Sequence, residues 1–252
     1  MPSELLQQIP VLVAIMLVAS AIQGATGFGF GLFAVAALSL LVPLKTATPM
    51  LAVLNAPVIF YLLWKLRGHV VWRGLGPMIA AVVVGIPFGV FVLVHWPQEV
   101  LLRILGVVLV FAAVRSLIGA NGEDRDLTPR RTVAGSGLEV LTGLAAGALG
   151  GAFNTGGPPA IAYVYCQPWT KERRSATLQA IFAISIVVRI LTMAVAGLYH
   201  APLLIASAAC LPGALLGMRV GYAVFRRIPP RALEIVVAIF LAGIAVKLLI
   251  WA

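Results

Sequence analysis

The sequence predicts an all-α polytopic membrane protein built from two inverted repeats. Its hydrophobic fraction is 62% and its charged fraction is 10%, whereas soluble domains contain about 25% charged residues. Apolar runs of about 20 residues, the length of a transmembrane helix, recur along the whole chain. They do not show the alternating segments of about ten residues that are typical of a membrane β-barrel. A lipid bilayer is therefore the expected surrounding of most of the chain.

A glycine-rich interruption lies at residues 144–166, LAAGALGGAFNTGGPPAIAYVYC. Each glycine costs about 1 kcal/mol of helix propensity relative to alanine, and Pro158 and Pro159 each lack a backbone donor. We therefore predict a helix that breaks inside the bilayer. A broken backbone at that depth is tolerated only where protein or a water-filled cavity satisfies its polar groups, so it marks a site.

The first half contains a similar interruption, GATGFGFG at Gly24–Gly31. The apolar run 9–43 around it would be about 52 Å long as one helix, against a hydrocarbon core of about 30 Å, so it must break. Gly27 and Gly31 fall 120 residues before Gly147 and Gly151. Three apolar spans follow each interruption, at 47–64, 74–95 and 98–118 and again at 176–198, 202–224 and 231–251. We predict two membrane repeats, 1–118 and 132–252, joined by a cytoplasmic linker at 119–131, with 8–10 membrane segments in total.

Basic residues in the loops predict how the two repeats are oriented. The loop after span 47–64 is basic and its counterpart after 176–198 is not, and the next pair of loops reverses this pattern. If basic loops are cytoplasmic, the repeats are inverted and both termini lie outside, in what we expect to be a bacterial cytoplasmic membrane. The run 133–166 then crosses an even number of times, as two short helices or a re-entrant hairpin. The formal charge of +10 is thereby explained without nucleic-acid binding.

Arg189 is the most informative charged residue. It lies about ten residues before the loop at His200, which places it about 15 Å deep, near the membrane midplane. An arginine at this depth is paired, solvated by a cavity or functional. One interpretation is that its guanidinium binds an oxyanion through two charge-assisted hydrogen bonds. The alternative is a structural contact with carbonyls released at a helix break.

The interruptions provide a second means of binding an anion. A half-helix that starts near Gly157 and runs toward Cys166 would direct its unpaired N–H groups into the cavity, and Asn154 and Thr155 would cap it or contact substrate. The alternative is that the glycines only allow close helix packing, which we favour for the Gly-x-x-x-Gly pairs of the third spans. The predicted substrate-binding residues are Arg189, Asn154, Thr155, Gly156, Gly157 and Pro158, with Gln23, Thr26, Gly27, Gly29 and Gly31 in the first half and Asn55 and Gln179 in the spans after the breaks.

Carboxylates are sparse and none lies at mid-depth, which argues against a cation pathway. If transport is coupled to protons, Glu139 or Glu234 would carry them by elimination. Two cysteines, Cys166 and Cys210, form neither a metal set nor a disulfide framework. We predict no catalytic motif, no metal and no cofactor, and therefore no enzyme.

The paired Gly-rich segments, the short basic connections and the four-segment halves resemble the sulfite exporter TauE/SafE family over nearly the whole chain. The motif GALGGAFNTGGPP is the more specific of the two, whereas the first reads G-F-G-F-G in place of the family's usual G-x-G-G-G. The resemblance implies a secondary transporter that exports a small sulfur-containing anion such as sulfite, sulfonate or sulfoacetate. Alternatives are an anion channel or a non-transporting assembly or sulfur-transfer protein that uses Cys166. Proton coupling and homo-oligomer formation stay open.

Overall fold

The computed structural model describes residues 8–120, 137–224 and 230–251, and within them it contains ten α-helices and no strand. Five precede the predicted linker: α1 Ile9–Thr26, α2 Phe30–Leu38, α3 Leu44–Leu66, α4 Gly76–His95 and α5 Gln98–Ala120. Five follow it: α6 Leu138–Phe153, α7 Gly157–Tyr165, α8 Lys171–Val195, α9 Ala201–Val224 and α10 Pro230–Trp251. Except for the end of α5, the predicted linker 119–131 lies outside the described residues.

Four of these helices, α3, α4, α8 and α9, are long and apolar enough to cross a membrane. With 23 and 22 residues, α5 and α10 have the length of a span as well. Large apolar side chains such as Phe88 and Val195 are exposed on the outer surface, and Trp64, Trp72 and Trp96 are exposed near helix ends, as in interfacial aromatic belts. The prediction of an all-α polytopic membrane protein is confirmed.

Both predicted interruptions are breaks between a longer and a shorter helix. In the first half, α1 ends at Gly27 (φ 81°) and α2 is preceded by Gly29 (φ 104°), two left-handed positions that favour glycine. In the second half, α6 ends at Asn154, also left-handed with φ 59°. Gly27 therefore corresponds to Asn154. The predicted pairing of Gly27 with Gly147 was wrong, because Gly147 lies inside α6.

After its break, the second half turns back on itself. The Thr155 N–H donates to the Leu149 carbonyl over 3.3 Å, and a Cβ atom on Gly156 would overlap the Ala146 carbonyl oxygen. Farther along α7, Tyr163 lies within electrostatic range of Glu139 in the first turn of α6. The two helices thus form a hairpin, as the loop charges predicted. At 9 residues each, α2 and α7 are about 14 Å long, so neither crosses the bilayer alone.

The most extensive helix contacts join one half of the chain to the other: α4 packs on α6, α9 on α1, α5 on α10 and α3 on α8. Small residues allow the close approach of the first two pairs. A Cβ on Gly85 would lie 2.6 Å from the Leu144 carbonyl oxygen, and one on Gly213 would lie 2.8 Å from a Val13 methyl. The Gly-x-x-x-Gly pairs therefore serve packing, as expected.

Helices α3 and α8 occupy equivalent positions in the two halves and run antiparallel. The Val71 N–H, just past the end of α3, donates to Thr177 Oγ1 near the start of α8 over 3.1 Å. The other end of the pair meets the last turn of α6, which contains Gly150 and Ala152. There Thr48 of α3 donates to the Ala152 carbonyl over 3.2 Å, and Arg189 of α8 lies against Gly150. This antiparallel pair is the arrangement that inverted repeats would give.

Candidate functional site

A cavity lies between the two breaks, where α3 and α8 pass them. Its volume, taken as the space open to the centre of a water molecule, is about 40 Å³. One water needs about 10–15 Å³ on this measure, so the cavity has room for about three waters or a small anion. Nine predicted site residues line it: Gln23, Gly29, Gly31, Asn55, Asn154, Thr155, Gly156, Gly157 and Arg189.

Four other predicted residues have different positions. Pro158 and Gly27 do not line the cavity wall, and the side chain of Thr26 lies outside what the structure describes. Gln179 also does not line the cavity: it is fully buried and its Nε2 donates to the Gly27 carbonyl over 2.5 Å. It therefore holds the end of α1 and does not contribute to the cavity wall.

Arg189 lines the cavity with a guanidinium that is only partly satisfied. The residue is 5% exposed, and its Nη2 donates to Ser185 Oγ over 3.2 Å. Among the described residues, Nε and Nη1 have no hydrogen-bond partner. The guanidinium donates to the Ser185 hydroxyl and not to a backbone carbonyl. The alternative role, a structural contact with carbonyls released at a helix break, therefore has no support. A buried guanidinium with unpaired donors strongly favours an anion beside it.

Asn154 and Thr155 do not cap α7, contrary to one of the two predicted roles. The residue before α7 is Gly156, with no side-chain cap, and Thr155 Oγ1 lies 3.4 Å from the Leu149 carbonyl of α6. Asn154 is instead the left-handed residue that ends α6. Its side-chain oxygen and nitrogen are both buried without a partner among the described residues, which suits contact with a ligand in the cavity.

The short helices contribute unequally to an anion site. The first N–H groups of any helix lack a partner within the helix. In α2, Phe30 donates to Gln23 Oε1 over 3.3 Å. Gly31 and Leu32, which follow it in the first turn and whose N–H groups therefore lack a partner within the helix, line the cavity. In α7 the second and third residues are prolines without an N–H. Backbone donors for an anion therefore come mainly from the first half, whereas the guanidinium comes from the second.

Ser185 and the apolar part of the wall were not predicted from the sequence. Ser185 lies four residues before Arg189, so the two share one helix face, and this spacing was the available signal. The apolar wall could not have been found, because apolar residues occur at every depth of a membrane helix. It consists of Phe28, Leu32, Ile59, Val82, Ala146, Ala160, Ile181 and Phe182.

Comparison with known proteins identifies the family. The family model of the sulfite exporter TauE/SafE matches residues 12–248. The chain belongs to the sulfite exporter TauE/SafE family. It is 26% identical over 236 residues to the probable sulfite/organosulfonate exporter TauE of Cupriavidus necator, a match that covers 91% of this chain and 88% of that protein. No solved structure matches the chain.

Membership in the sulfite exporter TauE/SafE family points to an exporter rather than an enzyme. In the part of the chain that the structure describes, no three His, Cys, Asp or Glu side chains come together as a metal site would require.

Outside the spans, Tyr199 lies in the loop after α8. Burial raises the pKa of Tyr199 to about 12, against the opposing effect of Arg189, so its phenol stays neutral at physiological pH.

Proposed function

We propose that the protein is a secondary transporter that exports a small sulfur-containing anion, such as sulfite, sulfonate or sulfoacetate, from a midplane site between two inverted repeats. The main support is that the two breaks, 120 or more residues apart in the chain, line one cavity with a buried guanidinium. The amides of Gly31 and Leu32 and the unpartnered N–H groups on Nε and Nη1 of Arg189 would supply hydrogen bonds for an oxyanion. The name of the Cupriavidus necator relative agrees with this ligand.

Alternating access is the mechanism that we infer. The breaks belong to different halves of the chain, which contact each other at the cavity, and small shifts between inverted halves would expose it to one side and then the other. We further propose the repeats 1–118 and 132–252 as the units that move, and both termini on the outer side of a bacterial cytoplasmic membrane. Glu139 is 6% exposed and is the candidate for proton coupling among the described carboxylates.

An anion channel is the second candidate, because a Gly-rich break also serves conduction. A small local cavity with one guanidinium suits a carrier that binds a single ion better than a conducting pore.

Sulfur transfer through Cys166 has less support, because Cys166 follows the end of α7 and is absent from the cavity wall. We expect Cys166→Ser to have no effect on flux.

Proteoliposomes that contain the purified chain test the proposal. We expect saturable flux of radiolabelled sulfite that is accelerated by sulfite on the opposite side, which a channel does not show. Arg189→Ala should abolish this flux, and Ser185→Ala should reduce it because the guanidinium loses its positioning partner. Arg219→Ala, which removes an exposed arginine of α9, is the matched control. Unaltered flux in a folded Arg189→Ala protein would remove Arg189 from the site.

A further inference from the structure

The cavity wall combines two kinds of side chain. Arg189, Ser185 and Asn154 are polar, whereas Phe28, Ile59 and Phe182 are large and apolar. A bare inorganic oxyanion would use the polar groups only. A ligand with an anionic group and an apolar tail would contact both kinds, since burial of the tail contributes about 25 cal/mol per Å².

The charges around the cavity have one sign. Arg189 is the one cation among the described lining residues, and no carboxylate is among them. The buried carboxylate on α6 belongs to Glu139, eleven residues before Gly150, which is roughly 16 Å along the helix. The neutral oxygens of Asn55 and Asn154 accept hydrogen bonds but carry no net charge to balance a second cation.

From these two observations we infer that the cavity selects sulfonates with an uncharged apolar tail and rejects sulfonates that carry an ammonium group. This inference rests on the proposed function and names the substrate class of the same site. An ammonium next to the sulfonate would be repelled by the Arg189 guanidinium at short range in a medium of low dielectric. It would also lose its hydration without gaining a carboxylate partner.

An isosteric pair of ligands isolates this effect. 1-Propanesulfonate and taurine have nearly the same size and carry the same sulfonate group. The other end of the molecule is a methyl in 1-propanesulfonate and an ammonium in taurine. With the full chain in lipid nanodiscs, competition against radiolabelled sulfite gives an apparent affinity for each. We expect 1-propanesulfonate to bind at least tenfold more tightly than taurine near neutral pH. Equal affinities, or tighter binding of taurine, would overturn the inference.

Two further measurements separate charge from shape. Raising the pH until the ammonium of taurine loses its proton should close the gap, because the guanidinium stays charged; a gap that persists contradicts the charge mechanism. Asn55→Asp adds a carboxylate to the cavity wall with little change in shape and should lower the preference for 1-propanesulfonate at least tenfold. The control is Arg219→Ala, outside the cavity wall, which should keep the preference. If Asn55→Asp binds neither ligand, the wild-type pH series decides.

A failure of the substrate-class inference can be distinguished from a failure of the proposed function. If sulfite itself does not bind, or binds equally well to Arg189→Ala, the proposed anion site is wrong. If sulfite binds in an Arg189-dependent manner but neither organic sulfonate competes, the site stands and the tail-binding inference is wrong.

Discussion

Gly31 and Asn154 are in direct backbone contact: a Cβ atom on Gly31 would overlap the carbonyl oxygen of Asn154. Gly31 is the second residue of α2, and Asn154 ends α6. The start of the short helix in one half thus lies against the end of the longer helix in the other. Because both residues line the cavity, any movement between the halves changes the shape of the binding site.

Gly31→Ala tests this contact. The added methyl has no space, so the breaks must separate, and we expect loss of sulfite flux together with a decrease of about 1–3 kcal/mol in the free energy of unfolding. Thermal unfolding and flux in proteoliposomes measure the two effects. Gly243→Ala is the control, since no heavy atom lies within 4 Å of its Cβ position. A Gly31→Ala protein that melts and transports like wild type would show that the breaks are not in contact.

Asn154 has two separable roles, one in its backbone and one in its side chain. Its φ of 59° is favourable for glycine, so Asn154→Gly should fold with nearly unchanged stability, whereas Asn154→Ala should cost about 1–2 kcal/mol. If the buried amide contacts the anion, both variants should lose at least tenfold in flux. Full flux in Asn154→Gly would mean that Asn154 is present for its backbone conformation alone.

Each break is held to a helix of the other half by a side-chain hydrogen bond. Gln179 of α8 donates to the Gly27 carbonyl at the end of α1, and Thr48 of α3 donates to the Ala152 carbonyl near the end of α6. Removal of one such bond costs about 0.5–1.5 kcal/mol, which increases local opening roughly twofold to tenfold. Hydrogen exchange should therefore rise at 27–31 in Gln179→Leu and at 152–157 in Thr48→Val.

Each of these variants is the control for the other, because each should leave the opposite break unchanged. An equal rise at both breaks in either variant would indicate general destabilisation instead of a local contact.

The inverted orientation is tested by labelling of introduced cysteines. Lys45 lies beside the end of α4, where its Nζ donates to the Val94 carbonyl over 2.7 Å, and Arg173 lies in the first turn of α8. In a Cys166→Ser, Cys210→Ser background, a membrane-impermeant thiol reagent should label Lys45→Cys from outside and Arg173→Cys from inside. Labelling of both from the same side would contradict the proposed topology.

Several features of the site could be predicted because they depend on local chemistry. Clustered glycines and prolines such as Gly27, Gly29, Pro158 and Pro159 disfavour a continuous helix, so the breaks were found within a few residues. Arg189 was found because a charge in an apolar run is costly at any position. The pairing of Gly27 with Gly147 failed because local sequence does not separate a glycine at a helix break from one that allows close packing. Gly147 lies inside α6 and packs against α4.

Other features depended on contacts between distant parts of the chain. Gln179 has the composition expected of a path-lining residue, yet it hydrogen-bonds to the end of α1. The apolar wall with Phe28 and Phe182 is indistinguishable in sequence from lipid-facing positions. Neither assignment follows from periodicity, because both depend on how α8 packs against the first half.

The sequence by itself determined the membrane class, the positions of both breaks and the presence of a deep arginine. These follow from transfer free energy and backbone propensity, which act within a single helix. Only the tertiary structure decided that Gly31 contacts Asn154, that Arg189 is positioned by Ser185, and that one cavity wall combines this charge with apolar side chains. Those relationships arise from close packing of small-residue helix faces between the halves, and packing is a property of the whole fold.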